Sequence, residues 1–209
     1  MRFLEVSFST SDLDAQTAFY GDVLGLPLIK QTVDSVTFQA GWTELTWRSG
    51  PGTGNHYHFA FNIAPNRVEA AHTWLRERVE ILKGPDGNEL IEFADWNAKS
   101  LYFLDPAGNV AEFIARRALP DSEELILCVS EVGVVGMEHE LLSQKPYLGM
   151  TSDSFVARGD EEGMLIIVKE ARPWFPTQIP AQRASMSVIT DHGRFLIHVT
   201  KARIGSPPF

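Results

Sequence analysis

The alternation of apolar and polar residues over the first 50 residues predicts a strand, a helix and three further strands. RFLEVSFST alternates apolar residues with polar or small ones, as a half-buried strand does. Ser11 and Asp12 offer a helix cap before DLDAQTAFYGDVLG, where apolar residues recur at helical spacing until Gly25 ends the helix. Three short runs rich in β-branched and aromatic residues follow: LPLIKQT, SVTFQA and WTELTWRS. The first unit is therefore predicted to be βαβββ.

The same order of elements repeats after the turn-prone stretch SGPGTGN. HYHFAFNI is predicted to be a strand and NRVEAAHTWLRERV a helix capped by Asn66. Three strands are predicted in ELIEFA, KSLYFL and NVAEFIA, separated by turn-forming residues. Residues 1–50 and 55–116 are thus two βαβββ modules.

A weaker third copy follows, with a strand in ELILCVSEVGVV, a short helix in MEHELLSQK and a hairpin in DSFVARGDEEGMLIIVKEA. This hairpin aligns with that of the first unit, so that Gly163 matches Gly41. RPWFPTQIP is predicted to be extended, and SMSVIT and FLIHVTKA to form a last hairpin. Because a repeat of this period determines an architecture, we predict an α+β fold built of βαβββ modules.

These elements predict two domains. Residues 1–118 would be the domain of paired modules. Residues 119–209 would be a degenerate βαβββ-like extension without metal ligands, with a structural or dimerisation role. The counterpart of Glu44 in this extension is Ile166, within an apolar run suited to packing.

Composition narrows the range of partners. The 209 residues are 44% hydrophobic and carry a formal net charge of -9, without a cluster of Lys or Arg, which argues against nucleic acid. No apolar run approaches the roughly 18 residues that span a bilayer. Cys128 is the single cysteine and is predicted to be a reduced core residue. We expect a cytoplasmic homodimer that binds a small molecule and neither nucleic acid nor membrane.

Three stretches resemble the vicinal oxygen chelate superfamily: FYGDVLGLPL, HFAFNI and above all YFLDPAGNVAEF. Its members include glyoxalase I, extradiol dioxygenases, fosfomycin-resistance enzymes and bleomycin-binding proteins. The resemblance covers residues 1–116, and DPxGNxxEF is its specific part. It implies that two βαβββ modules curl into one cup, with a divalent metal at the floor held by residues on the first and last strands of each module.

The resemblance implies that the metal ligands are Glu5, Glu44, His58 and Glu112. Period-two alternation is consistent with this, since it puts Glu5 on the face opposite Val6. Such an oxygen-rich set with one imidazole favours Mn, Ni, Co, Fe or Mg, with Zn as a further alternative. Without a cation, converging carboxylates would repel one another and favour their neutral forms.

The simpler interpretations also stand, since a histidine in a strand is more often a core or surface residue than a ligand, and Glu44 could be an exposed strand carboxylate. Four further residues are candidate substrate contacts in the expected cup: His56, Ser9, Trp42 and Arg48.

The resemblance implies a glyoxalase-like reaction, in which a bound metal assists proton transfer on a small substrate with vicinal oxygens. Glu112 or Glu5 would be the base. Glu5 stands where relatives carry His or Gln, and Ser9 replaces the arginine with which glyoxalase I grips glutathione, which makes glutathione doubtful. Two alternatives remain: an extradiol ring-cleaving dioxygenase, for which a second ligand histidine is missing, and a non-catalytic module that binds a flat ligand in an aromatic cup.

Overall fold

The computed structural model describes residues 1–50, 56–136 and 146–197. The strands in these ranges are β1 (Phe3–Thr10), β2 (Leu28–Gln31), β3 (Ser35–Ala40), β4 (Thr43–Ser49), β5 (His58–Ile63), β6 (Ile81–Leu82), β7 (Ile91–Phe93), β8 (Ala98–Leu104), β9 (Val110–Arg116), β10 (Ile126–Val135), β11 (Pro146–Ser152), β12 (Phe155–Asp160), β13 (Gly163–Val168), β14 (Met186–Thr190) and β15 (Gly193–Ile197). The helices are α1 (Leu13–Ala18), which continues into a π-helical turn (Phe19–Val23), and α2 (Val68–Arg76), which follows a 3-10 turn (Pro65–Arg67).

These elements form the predicted repeats, and the α+β fold class is confirmed. Module 1 comprises β1, α1 and β2–β4; module 2 comprises β5, α2 and β6–β9; module 3 comprises β10–β13. The helix expected in MEHELLSQK lies outside the described residues. The final hairpin, β14–β15, turns at Asp191 and His192 as expected. No helix in the described ranges is long and apolar enough to cross a membrane.

The two helix starts differ in how well the sequence predicts them. Asp12 caps α1, with its side chain accepting a hydrogen bond from the Ala15 backbone N–H, as expected for this residue type. The predicted cap Asn66 does not cap α2, because a 3-10 turn precedes the helix and its first residues follow Arg67. The Asn66 side chain instead accepts a hydrogen bond from the Ser122 N–H.

Modules 2 and 3 share one sheet. Its strand order is β11-β12-β13-β10-β5-β9-β8-β6, with β7 also pairing with β8. The first strands of the two modules, β5 and β10, pair antiparallel at the centre, and each is parallel to the last strand of its own module. The two modules are therefore related by an approximate twofold axis between β5 and β10.

Module 1 forms the second sheet with the final hairpin, in the order β15-β14-β1-β4-β3-β2. The expectation that modules 1 and 2 share one cup therefore differs from the observed strand pairing. The first strand of module 1 pairs with β14, and the first strand of module 2 pairs with β10. This pairing accompanies a difference in burial, since β5 and β10 lie at the centre of a sheet covered on both faces and are buried over nearly their whole length, whereas β1 has exposed positions.

The two sheets pack through an aromatic core. Phe8 of β1 lies 4.5 Å from Tyr57 and 5.0 Å from Phe59, measured between ring centroids. Trp47 of β4 is fully buried and stacks on Tyr20 at 5.3 Å. These large side chains supply most of the apolar area that holds the sheets together. One face of the nine-stranded sheet is consequently used for packing, and the opposite face is left for a site.

Two equivalent hairpin tips, which contain Gly41 and Gly163, connect the two sheets. A Cβ on Gly41 would lie 1.7 Å from the Leu127 carbonyl oxygen at the start of β10, and a Cβ on Gly163 would lie 2.0 Å from the Met1 carbonyl oxygen before β1. The Thr43 hydroxyl donates to the Phe3 carbonyl and accepts from the Val129 N–H. The hairpin of module 1 thus contacts the first strand of module 3, and the hairpin of module 3 contacts the start of the first strand of module 1.

We predict that Gly41→Ala lowers the free energy of unfolding by about 3 kcal/mol or more, because the added methyl group collides with backbone. Gly25→Ala is the matched control, since Gly25 has a similar φ of 66° against 57° at Gly41 but has nothing within 4 Å of the added Cβ. It should cost only about 1–2 kcal/mol for the left-handed conformation. Urea denaturation of both variants measures the difference, and equal losses would contradict the close contact at Gly41.

Candidate functional site

A pocket of about 370 Å³ opens on the free face of the nine-stranded sheet. Its volume lies within the range of small-molecule sites. The segment between β13 and β14, residues 169–184, crosses this face and is called the strap. The pocket is lined by residues from modules 2 and 3 and from the strap: His58, Phe93, Trp96, Tyr102, Glu112, Ile114, Glu131, Ser152, Phe155, Ile166, Arg172, Trp174 and Phe175.

Three potential metal ligands lie together in this pocket. His58, Glu112 and Glu131 bring one ligand atom each within 4.8 Å of the others. The His58 Nε2 atom is 3.7 Å from a carboxylate oxygen of Glu112 and 3.8 Å from one of Glu131. All three side chains are buried, with 7%, 2% and 5% of their surfaces exposed, respectively.

The approximate symmetry of modules 2 and 3 explains why these residues meet. Glu112 lies opposite Ala60, two residues beyond His58 along β5. In module 3, Ile166 lies opposite Gly133, two residues beyond Glu131 along β10. His58 and Glu131 therefore hold equivalent positions on the first strands, and Glu112 and Ile166 hold equivalent positions on the last strands.

The DPAGN turn orients His58. Its Asn109 side chain accepts a hydrogen bond from the Tyr57 N–H, and its Gly108 carbonyl lies 2.9 Å from the Nδ1 atom of His56. The His58 Nδ1 atom lies 3.2 Å from the Val110 carbonyl oxygen. A proton on Nδ1 donates to that carbonyl and leaves the Nε2 lone pair facing the two carboxylates, which is the arrangement of a metal-ligating histidine.

A buried arginine balances one of the carboxylates. Arg116, at the end of β9, forms an ion pair with Glu131 and is only 1% exposed. Its guanidinium also lies over the Trp96 ring, 5.7 Å from the centroid. This pair uses one carboxylate oxygen of Glu131, while the other oxygen faces His58. Glu112 has no such cation, and only His58 is paired with it among the described residues.

This arrangement separates the pKa values of the two glutamates. Burial and the nearby charge of Glu131 raise the pKa of Glu112 to about 7. Burial also opposes ionisation of Glu131, but the charge of Arg116 and the interaction with His58 hold its pKa below the ordinary value. Burial disfavours protonation of His58, yet the two glutamates outweigh this and raise its pKa. Without a cation, the cluster therefore retains a proton on Glu112 near neutral pH.

The donor set fits a divalent ion. One imidazole nitrogen and two carboxylates are ligands that Mn, Fe, Co, Ni and Zn accept. The proton that the buried Glu112 retains is what a bound cation would displace, since metal binding and protonation compete for the same oxygen. The structure thus offers His58, Glu112 and Glu131 as candidate ligands.

Two of the ligands implied by the sequence lie elsewhere. Glu5 and Glu44 are exposed and face each other on β1 and β4 of the six-stranded sheet. Within the described residues, neither joins His58 and Glu112 in a group of three ligand atoms. The position in module 1 that corresponds to Glu112 is Thr46, opposite Ser7, rather than Glu44. The implied set of four therefore does not converge in this structure, and Glu131 joins His58 and Glu112 instead.

The four candidate substrate contacts also lie outside the pocket. The His56 ring rests on the DPAGN turn. The Ser9 backbone N–H donates a hydrogen bond to the Tyr57 hydroxyl oxygen, and the Arg48 Nε–H donates one to the Ser7 hydroxyl. The Trp42 ring lies beneath the Arg2 guanidinium, with the centroid 5.0 Å away. None of the four belongs to the described pocket lining.

The residues that module 3 and the strap bring to the pocket were not predicted from the sequence. The sequence predicts no ligand in module 3, and the structure places the carboxylate of Glu131 from this module beside His58 and Glu112, in the otherwise small and apolar run VSEVGVV. The strap residues Trp174 and Phe175 were predicted only as part of an extended stretch, and they line the pocket. The acidic residue within a doubly buried strand was the available signal, because a buried charge requires a partner.

We predict that the metal-free protein loses stability as pH rises from about 4.5 to 7. In that range Glu112 ionises in the unfolded chain but remains protonated in the folded one, because its pKa is raised from 4.5 to about 7. The loss would reach about 3 kcal/mol. Urea denaturation in the presence of a chelator measures it. Glu112→Gln should flatten this dependence, whereas Glu44→Gln should keep it; the same slope in both variants would count against a protonated Glu112.

Comparisons with known proteins agree with the fold. Residues 2–113 match the family described as the Glyoxalase/Bleomycin resistance protein/Dioxygenase superfamily. Metallothiol transferase FosB of Staphylococcus haemolyticus is 31% identical over 114 residues, which cover 51% of this chain and 78% of that protein. The FosB protein of Staphylococcus epidermidis shows the same identity and coverage.

A solved structure of a putative dioxygenase from Bacillus subtilis has a similar fold over nearly the whole chain. Its TM-score is 0.59 at 16% identity, and the match covers 94% of this chain and 67% of that one. At this identity the likeness concerns the fold alone. The family match, in contrast, spans more than half of the sequence. The chain belongs to the Glyoxalase/Bleomycin resistance protein/Dioxygenase superfamily.

Proposed function

We propose that this protein is a metal-dependent enzyme that acts on a small molecule with two neighbouring oxygens, in the cup formed by modules 2 and 3. His58, Glu112 and Glu131 would hold the ion. The observation that carries the proposal is the convergence of these three buried side chains, with ligand atoms within 4.8 Å of one another, in the wall of a pocket. The relatives named metallothiol transferase support a metal-dependent chemistry.

A divalent ion at this site would polarise the oxygens of a bound substrate and make a neighbouring C–H bond more acidic. Glu112 is the group suited to move that proton, because its carboxylate lines the pocket, whereas the carboxylate of Glu131 is engaged by Arg116. Tyr102 lies directly opposite Glu112 on β8, and its hydroxyl interacts with that carboxylate. This hydroxyl would orient the carboxylate.

The strap covers one side of the site and would limit the access of water to it. The Trp174 ring lies 5.2 Å from the His58 ring, and its Nε1 atom donates to the His56 carbonyl. Phe175 packs edge-on against Tyr102 at 5.5 Å. Excluding water strengthens electrostatic interactions between substrate and protein, and it protects a reactive carbanion-like state from solvent protons.

The ligand set favours proton transfer over oxygen chemistry. Iron oxygenases use two histidines and one carboxylate, and the cluster in the described residues holds one histidine and two carboxylates. Ring cleavage by an extradiol mechanism is therefore the less favoured reaction. The alternative to an enzyme is a protein that only binds its ligand. Six aromatic rings besides His58 line the pocket and could hold a flat ligand without catalysis.

We predict that Mn, Co, Ni or Zn binds the purified protein at one site, and that His58→Gln, Glu112→Gln or Glu131→Gln each weakens binding more than about 100-fold. Changes around ligands already cost about 10–100-fold, so loss of a ligand should cost more. Isothermal titration after chelator treatment measures the affinity.

Glu5→Gln and Glu44→Gln are the matched controls, because they remove the same charge from the ligand positions that the sequence implied. They should bind metal as the wild type does. Metal binding that is lost in Glu44→Gln and retained in Glu131→Gln would overturn the site proposed here and restore the one implied by the sequence.

We predict that the metal-loaded protein converts an α-oxoaldehyde or a related compound with vicinal oxygens, and that kcat/KM depends on pH because the reaction needs its general base in the unprotonated form. A screen should combine α-oxoaldehydes, with and without glutathione, and catechols under air. Tyr102→Phe should lower kcat while the metal still binds. Oxygen consumption with a catechol would contradict proton transfer, and no turnover with any metal would favour the binding module.

A further inference from the structure

Arg172, on the strap, places a positive charge at the pocket that the metal cluster does not use. Its guanidinium lies over the Phe155 ring, 5.1 Å from the centroid, and both residues line the pocket. Among the residues that the structure describes, its one hydrogen bond goes from Nη1 to the neighbouring Pro173 carbonyl, at a long 3.3 Å. Across the described ranges, no carboxylate forms an ion pair with Arg172.

The carboxylates of the pocket have other partners. Glu131 is paired with Arg116, and Glu112 with His58. Arg172 is therefore not needed to neutralise them. Burial lowers its pKa, and no neighbouring anion contributes a rise in return. A partly buried cation without a counter-charge is unfavourable in the free protein, and an anionic ligand would remove that cost.

Apart from the contact with Phe155 and the hydrogen bond to Pro173, the Arg172 side chain does not hold the strap in place. The strap is held by backbone hydrogen bonds from Ala171 to Ala181, from Ala181 to Arg172 and from Trp174 to Ile179. All of these bonds use main-chain atoms and would persist without the guanidinium. The position of Arg172 at the pocket is thus better explained by a ligand than by folding.

The remaining walls determine what kind of anion fits. Phe93 and Phe175 pack edge-on at 5.6 Å, and Trp96 and Phe155 do so at 6.2 Å. These rings offer flat apolar surfaces to a ligand that is itself flat. A free inorganic anion would leave those surfaces in contact with water.

We propose that the pocket binds a flat, unsaturated or aromatic carboxylic acid, whose apolar body lies among the pocket rings and whose carboxylate pairs with Arg172. This inference rests on the proposed function for the location of the active site, and it adds the substrate class. A guanidinium matches a carboxylate with two parallel hydrogen bonds, and it provides more specificity than a lysine would.

trans-Cinnamate and its neutral amide, cinnamamide, are suitable probes because they share one flat body and differ in charge. Quenching of tryptophan fluorescence measures their affinities in chelator-treated protein, where no metal can bind the carboxylate. We expect cinnamate to bind about 10–100-fold more tightly than the amide, as a charge-assisted hydrogen bond provides. Arg172→Gln should remove this preference and Arg172→Lys should retain part of it.

Arg117→Gln is the matched control, since Arg117 is an exposed arginine paired with Glu92 and does not line the pocket. It removes the same charge and should leave the preference unchanged. Equal binding of acid and amide by the wild type, an equal loss of both in Arg172→Gln, or no binding of either probe would overturn the proposal.

Metal titration separates this inference from the proposed function. If the protein prefers the acid through Arg172 but binds no divalent metal, the substrate class stands and the metal-dependent reaction falls. If metal binds at His58, Glu112 and Glu131 but the acid binds no more tightly than the amide, the metal-dependent reaction stands and the substrate class falls.

Discussion

Two buried carboxylates, those of Glu112 and Glu131, are the strongest constraint on this protein, because a buried charge must be balanced by a partner. The charge of Arg116 keeps Glu131 ionised, whereas Glu112 has no arginine paired with it among the described residues and retains a proton near neutral pH. Removing one partner of a buried ion pair lowers the stability by several kcal/mol. Arg116 on β9 and Glu131 on β10 therefore depend on each other. The resulting imbalance at Glu112 is what makes the cluster receptive to a cation.

The motifs that carry the family resemblance have a structural role in this chain. The Tyr20 hydroxyl of FYGDVLG donates a hydrogen bond to Asp105 of DPAGN, and the Gln16 side chain donates to the same carboxylate. Asp105 also accepts from the Asn109 N–H and so closes the turn that orients His58. Modules 1 and 2 therefore contact each other through these motifs, although they lie in different sheets. The motifs identify the family without revealing which modules share a cup.

The elements and the internal repeat could be predicted from the sequence, but the pairing of modules could not, because repeats at equal spacing are compatible with more than one pairing. Burial on both faces distinguishes strands of modules 2 and 3 from the first strand of module 1. HFAFNI, VAEFIAR and GMLIIV are buried throughout, as strands covered on both sides are, whereas FLEVSFST alternates. That contrast associates β5 and β9 with module 3. The strap could not be predicted in detail, since its position depends on contacts between residues distant in sequence, such as Trp174 with His56.

The family match ends at residue 113, so it includes only His58 and Glu112 of the cluster. Module 3 and the strap provide the other half of the pocket, and their residues cannot be inferred from relatives aligned over the first half. In the equivalent last-strand position, module 3 carries Ile166 rather than a ligand. In the proposed function, an apolar residue at that position would leave three protein ligands and one side of the ion open to a substrate. Ile166 lines the same pocket as Phe155 of module 3 and Arg172 of the strap, so that side would face the proposed ligand space. The four equivalent strand positions would thus be divided between metal binding, at His58, Glu112 and Glu131, and contact with the substrate, at Ile166.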